Sequence, residues 1–331
     1  MSVTWPLLLQ QAGYHTGYIG KWHLGEEAPK CFNEWMGFNS GKSHWMGKQY
    51  ASRYRPDWET DQGLDFIRRN KNKPFVLCQS YYPPHTPYTA PKEYWQYYEK
   101  GVPDGRPMEY YAAISNIDMN IGRLIKQLDD LDLLDNTVII YTSDHGDTFG
   151  RRPGGGNKRS AYDDSARIPL IIRYPGIFEG GKVSEHLVSN VDIMPTILEL
   201  AGVKIPANLQ GQSLVKAMKS KPEDWRTAVC IENREDVNKG SDRTNNANSR
   251  GIRTKDHKLI LRDKLSIRAK TTRELYNLVK DPLEQNNIYG KEQIPVIQPI
   301  LNWLENWSKA TDDKVGLQLA ESCKADLGIS K

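Results

Sequence analysis

Six side chains in this sequence have the types and spacing to act on an anion. They are Lys21 and His23 in GKWHLG, His85 in PPHTPY, Asp144 and His145 in TSDHGD, and Lys158 in GRRPGGGNKRSAYDDSAR. Lysine brings a point charge, and histidine exchanges a proton near neutral pH. A carboxylate beside an imidazole suits a metal, or a phosphate-like anion with its counter-ion. Converging, they would form a cationic pocket for a tetrahedral oxyanion such as sulfate or phosphate. Each also has an ordinary use. Lys21 reads equally as a solvated turn lysine, His23 as packed between Trp22 and Leu24, and His85 as a turn residue. Lys158 reads as an exposed loop lysine, and Asp144-His145 as a strand running into a turn. Gly154–Gly156 lacks the preceding strand and the Gly-Lys-Ser/Thr plus helix of a phosphate loop, so it reads as linker. The recurrence singles the set out: three apolar runs each end on such residues.

Those runs are the elements that must position the site. Residues 4–13 read as a short helix closed by Gly13, and 14–19 as a short strand running into Gly20–Gly25. Phe75–Ser80, Thr137–Thr142 and Pro169–Arg173 read as strands buried on both faces, as in a parallel sheet. In such a sheet the carboxyl ends share one edge, where ligands of open α/β sheets bind. Helices are expected at 59–70, at 108–131 (Ile114, Ile117, Ile121, Leu124, Ile125 and Leu128 in helical period) and at 191–201. Residues 31–56 read as a long aromatic, Gly-rich loop. From 223 the character changes. Short strands at 228–232 and 257–261 alternate with polar turns, and 236–250 reads as an exposed loop. Residues 274–287 read as a strand end and turn, and 294–309 as an amphipathic helix. The pattern predicts an α/β fold, a mostly parallel sheet sandwiched by helices, in a domain at 1–222. A smaller α+β subdomain with a small antiparallel sheet and a helix follows at 223–331.

Composition narrows the class. With 38% hydrophobic and 26% charged residues in 331, the chain is of ordinary globular type, not disordered. No run is long enough for a membrane span. The start, MSVTWPLLLQQAGYH, lacks a basic n-region and is broken by Pro6, so it does not read as a signal peptide. The net charge of +4 is scattered apart from a short mixed segment at 262–273, which argues against a nucleic-acid partner. Cys31, Cys78, Cys230 and Cys323 are too dispersed for a disulfide framework or a zinc site.

The motifs then carry a resemblance. GYHTGYIGKWHLG at 13–25 closely resembles the second signature of the type I sulfatases, formylglycine-dependent hydrolases of the alkaline-phosphatase superfamily. The likeness continues, in family order, through PFVLCQSYYPPHTPY, YTSDHGDTFG, K-x-x-x-Y-D-x-S-x-R-I-P-L-I at 158–171 and RELYNLVKDPLEQNNI. It implies an alkaline-phosphatase-like fold and sulfuric ester hydrolysis, the substrate being a sulfated sugar or glycan. It further implies that Asp144 and His145 help bind calcium, and that Lys21 and His23 contact the sulfate and the nucleophile. His85 would be the general acid near the leaving oxygen, and Lys158 would bind the ester sulfate. The implied chemistry is attack on sulfur by a formylglycine hydrate, S–O cleavage and release of sulfate. Trp35, Trp45, Trp58, Tyr88 and Trp95 would stack on sugar rings or pack in the core. A periplasmic or secreted location is what the resemblance favours.

The sequence also departs from that family. The nucleophile motif, Cys/Ser-x-Pro/Ala-x-Arg, and the paired Asp-Asp that completes the calcium site belong upstream of GKWH, and neither is present. Cys230 in CIENR has an Arg four residues on but Glu232 where Pro or Ala belongs, and Ser2 has no Arg near it. A truncated gene model, a split or decayed gene, and a member that only binds are the explanations open here. The expectation is that this chain alone is inactive and poorly stable, since an open sheet lacking a central strand leaves backbone groups unpaired. A phosphate or phosphonate ester hydrolase of the same superfamily, or a non-catalytic binder of sulfated glycans, are the competing readings. Two-zinc members carry Asp four residues before a metal-binding His, and Tyr81 stands four before His85.

Overall fold

The structure is a computed structural model that describes residues 4–25, 27–102, 105–152, 158, 160–220, 222–233, 248–262 and 272–329. The triple glycine and most of the segments 236–250 and 262–273 lie outside the described residues. The chain divides into two compact units. One is Met1–Val138, Tyr174–Ile177 and Met194–Ala207; the other is Ile139–Arg173, Phe178–Ile193 and Asn208–Lys331.

The first unit begins with α1 (Trp5–Gln11), which ends before Gly13 (φ +91°) and leads into β1 (His15–Trp22). β1 is the middle of a parallel three-stranded sheet. It is flanked by β2 (Glu34–Asn39) and β3 (Phe75–Ser80), in register Gly20↔Gly37 and Gly20↔Ser80. Between β2 and β3 runs α2 (Arg55–Asn70), with Pro56 in its first turn, where a missing N–H costs nothing. After β3 comes α3 (Met108–Asp130), which packs against α2 and buries Ala112, Ala113, Ile117 and Leu128 together with Asn116 and Asn120.

The second unit opens with β4 (Ile139–Thr142), α4 (Asp163–Ala166) and β5 (Leu170–Arg173). Along the chain α5 (Ile193–Leu200) follows behind a Ser189–Asp192 capping box and, from Met194, belongs to the first unit; α6 (Val215–Lys219) belongs to the second. A four-stranded antiparallel meander comes next: β6 (Ala228–Asn233), β7 (Ser249–Thr254), β8 (His257–Arg262) and β9 (Thr272–Asn277). Its inner face (Ile252, Leu259, Leu261, Leu275) packs on Ile297, Leu301, Leu304 and Leu319 of α7 (Ile294–Ala310) and α8 (Lys314–Leu327). Among the described residues no helix is long and apolar enough to cross a membrane.

The α/β architecture agrees with the sequence reading, and several details differ. Among the described residues neither β4 nor β5 joins the parallel sheet of β1–β3, contrary to the expectation that these strands share one sheet and one edge. They pair antiparallel with each other, Ile140 opposite Ile172. The apolar runs of β3, β4 and β5 are half-buried rather than buried on both faces. The reason is pairing: among the described residues each has a neighbouring strand on one side only. The 31–56 stretch contains β2, which alternation did not reveal because Trp35, Gly37 and Phe38 obscure a period of two. α2 starts at Arg55, four residues early, and β7 and α8 were not foreseen.

Candidate functional site

In the first unit, Lys21 sits inside β1, one residue before its end. Its carbonyl receives Ser80 Oγ–H at 2.9 Å and also the Tyr18 hydroxyl. The preceding Gly20 has φ +112°, and a Cβ there would stand 1.9 Å from the Ser80 carbonyl oxygen. Only glycine permits β1 and β3 to close here, which fixes the direction in which Lys21 leaves the sheet. Lys21 Nζ lies 5.1 Å from the ring centroid of Tyr82, just past β3. His85 packs on the same ring at 4.9 Å, and His44 at 4.7 Å. Tyr82 is thus a buried hub that gathers Lys21, His44 and His85.

His44 was not singled out by the sequence. It is 2% exposed and donates Nε2–H to the His85 carbonyl at 2.8 Å, while its Nδ1 has no partner. Burial lowers its pKa, so the imidazole is the neutral form, a fixed strut beneath His85. His85 donates Nδ1–H to the Thr86 carbonyl at 2.8 Å, which fixes the orientation of its ring and the tautomer. His23 follows β1 on an exposed stretch, two residues past Lys21.

In the second unit, β4 delivers Asp144 and His145 as the sequence suggested. Asp144 Oδ1 accepts the His145 backbone N–H at 3.0 Å, and Oδ2 lies 3.4 Å from His145 Nε2. His145 donates Nδ1–H to the Gly146 carbonyl at 2.7 Å, leaving Nε2 to accept from Lys158 Nζ at 3.3 Å. Lys158 therefore joins Asp144 and His145. The turn is anchored where Gly146 N–H donates to the Ser165 carbonyl at 2.8 Å; a Cβ on Gly146 would meet the Asp164 carbonyl oxygen at 2.2 Å.

That anchor is itself held by a buried ionic cluster that no local pattern in the chain signals. Lys258 of β8, fully buried, pairs with Asp163 and with Glu284 Oε1 at 2.6 Å. Arg253 reaches Asp163 at 2.8 Å, and Arg152 reaches Asp164 at 2.8 Å. Glu284 Oε2 caps the Asp163 N–H at 2.7 Å. Burial pushes the Glu284 carboxyl up, and Lys258 works against that shift.

The donor set does not make a calcium site as it stands. Calcium takes roughly six to eight oxygens. Among the described residues no three His, Cys, Asp or Glu side chains converge to hold a metal. Asp144 offers oxygens, but His145 Nε2 faces the Lys158 ammonium. No chemical step below is routed through a metal.

Comparison with known proteins agrees with these motifs. Residues 3–203 match the family model described as Sulfatase, and 154–309 match that of the N-sulphoglucosamine sulphohydrolase C-terminal region. The chain is 29% identical to an N-acetylglucosamine-6-O-sulfatase of Bacteroides thetaiotaomicron, covering 94% of this chain and 73% of that one. It is 29% identical to an ulvan-active sulfatase of Formosa agariphila, covering 88% of this chain and 62% of the other. A solved structure in complex with its substrate D-glucosamine-2-N,6-O-disulfate matches with a TM-score of 0.78. Their identity is 27%, with 95% of this chain and 83% of that chain covered.

Proposed function

Starting from the fact that the chain belongs to the sulfatase family of sulfuric ester hydrolases, we propose that its sites serve release of sulfate from a sulfated glycan. The observation that carries the reading is the Lys158–His145–Asp144 arrangement at the end of β4. A second cationic cluster, Lys21 with His85 around Tyr82, supports it at the end of β1. In this reading Lys21 and Lys158 are each, within their own unit, a cation that would neutralise a sulfate oxygen, and His23 would serve the attacking group. His85 would hand the Nε2 proton to the sugar oxygen, which keeps the bonding electrons as the S–O bond breaks and an oxygen of the attacking group bonds to sulfur.

The family's formylglycine supplies an attacking hydrate and its divalent cation offsets sulfate charge. The sequence of this chain contains no formylglycine motif, so bond formation at sulfur is assigned to none of its residues. Calcium is the ion proposed for Asp144, on carboxylate preference alone. A sulfated amino sugar is the substrate class suggested by the N-acetylglucosamine-6-O-sulfatase relative and by the solved complex with a glucosamine disulfate. The experiment is calorimetric titration of the purified protein with inorganic sulfate and with glucosamine 6-sulfate. Lys158→Ala and Lys21→Ala should each weaken binding about tenfold or more, the scale of one charge-assisted contact. Unchanged affinity in both variants refutes the reading. A tighter response to the matched phosphate ester would move the assignment to phosphate ester chemistry.

A further inference from the structure

The first unit carries a cleft lined by none of the six residues proposed to act on sulfate. Its volume is about 760 Å³, within the span of small-ligand sites, roughly 300–1,000 Å³. Trp45, Tyr88 and Trp95 form part of its wall. Trp45 stays 38% exposed even though its ring packs on Tyr54 at 5.1 Å. An indole held by a buried tyrosine yet open on its outer side suits the C–H face of a pyranose.

The polar part of the wall is prearranged. Asp57 lines the cleft, and its Oδ1 accepts Nδ2–H bonds from the buried Asn116 and Asn120, each at 2.8 Å. Its Oδ2 has no hydrogen-bond partner among the described residues. Two amides thus fix a carboxylate whose second oxygen can take a hydroxyl without reorganisation. Arg53, also on the wall, is braced by Asp61 at 2.7 Å, and Arg123 holds the other Asp61 oxygen at 2.5 Å. Thr89 Oγ1 and Trp95 Nε1, on lining residues, are buried without a partner, so the wall retains groups that a hydroxyl-rich ligand can satisfy.

Charge decides the kind of ring. The carboxylates of Asp57, Glu93 and Glu109 outnumber the cations of Arg53 and Lys92. A wall with that balance repels a second sulfate and accepts a neutral or amino-bearing sugar. We infer that this cleft is a subsite for an unsulfated pyranose of the glycan. The inference rests on the reading of the substrate as a glycan, and it assigns the ring's surroundings to Trp45, Asp57 and Arg53.

The test is titration of the purified protein with cellobiose and with chitobiose, followed by tryptophan fluorescence and by NMR. At least one should bind in the millimolar range. Trp45→Leu and Asp57→Asn should each weaken that binding at least fivefold, and Lys158→Ala should leave it within twofold. No binding of either disaccharide overturns the proposal. So does binding indifferent to Trp45→Leu and Asp57→Asn when both variants give the wild-type far-UV spectrum, or binding lost with Lys158→Ala. Sulfate binding, measured alongside, should survive Trp45→Leu. Disaccharide binding without any sulfate binding would sink the sulfate site and leave the cleft standing.

Discussion

Glu59 lies in α2 at 1% exposure, and neither carboxylate oxygen has a hydrogen-bond partner. Burial pushes its pKa from 4.5 to about 8, against a small opposing pull from Arg55. A carboxyl with a raised folded-state pKa holds its proton while the unfolded chain has already released it. Stability is therefore highest below pH 4.5, falls as pH rises toward about 8, and is flat beyond that. Each pH unit in this window costs about 1.4 kcal/mol, so near pH 7 the loss relative to acid is about 3 kcal/mol. Glu59→Gln keeps the shape and removes the titration. The variant's cost of an unpaired amide is the same at every pH, so only the slope discriminates. Amide hydrogen exchange in α2 and β3 reads local stability at pH 5, 6, 7 and 8. Wild type should lose protection steadily across that range, and Glu59→Gln should stay level from this source, gaining about 3 kcal/mol relative to wild type near neutrality. Parallel pH dependences in the two proteins would refute the reasoning, because they would mean that Glu59 is already ionised and solvated in the folded state.

Other substitutions probe other supports. Lys258→Met strands Asp163 and Glu284 without their buried cation; urea titration should show a loss of about 3–5 kcal/mol, and adding Glu284→Gln should recover part of it. Gly20→Ala drives a Cβ to 1.9 Å from the Ser80 carbonyl at φ +112°; soluble yield and thermal midpoint should both drop sharply, and a wild-type midpoint would contradict the β1–β3 closure. His44→Phe removes the bond to the His85 carbonyl and should shift the His85 ring resonances while the far-UV spectrum stays unchanged. Asp144→Ala should abolish any calcium-induced thermal shift; a shift that survives places the ion elsewhere.

The positions of the candidate residues near β1 and β4 were legible because their signals are local. GKWHLG and TSDHGD keep Lys21, His23, Asp144 and His145 within a few residues of an apolar run, and a strand followed by Gly places them at its end. The long period in 108–131 gave α3 for the same reason, although the stripe that is buried includes Asn116 and Asn120. Hydrophobic periodicity has no term for a polar residue buried because a partner on another helix waits for it. Asp57, 59 residues away from Asn116, is such a partner.

The sequence alone therefore determined the family motifs and the α/β class, and it singled out six candidate residues for anion chemistry, since residue type and near-neighbour order carry that information. Tertiary structure decided what holds them. Tyr82 became a hub because β1 and the segment after β3 meet across a parallel register. The Lys158 and His145 turn came to rest on Asp163, which is tied to Lys258 across 95 residues and to Glu284 across 121. Pairing a buried charge depends on which distant side chains share one dry volume, and no local pattern in the chain encodes that.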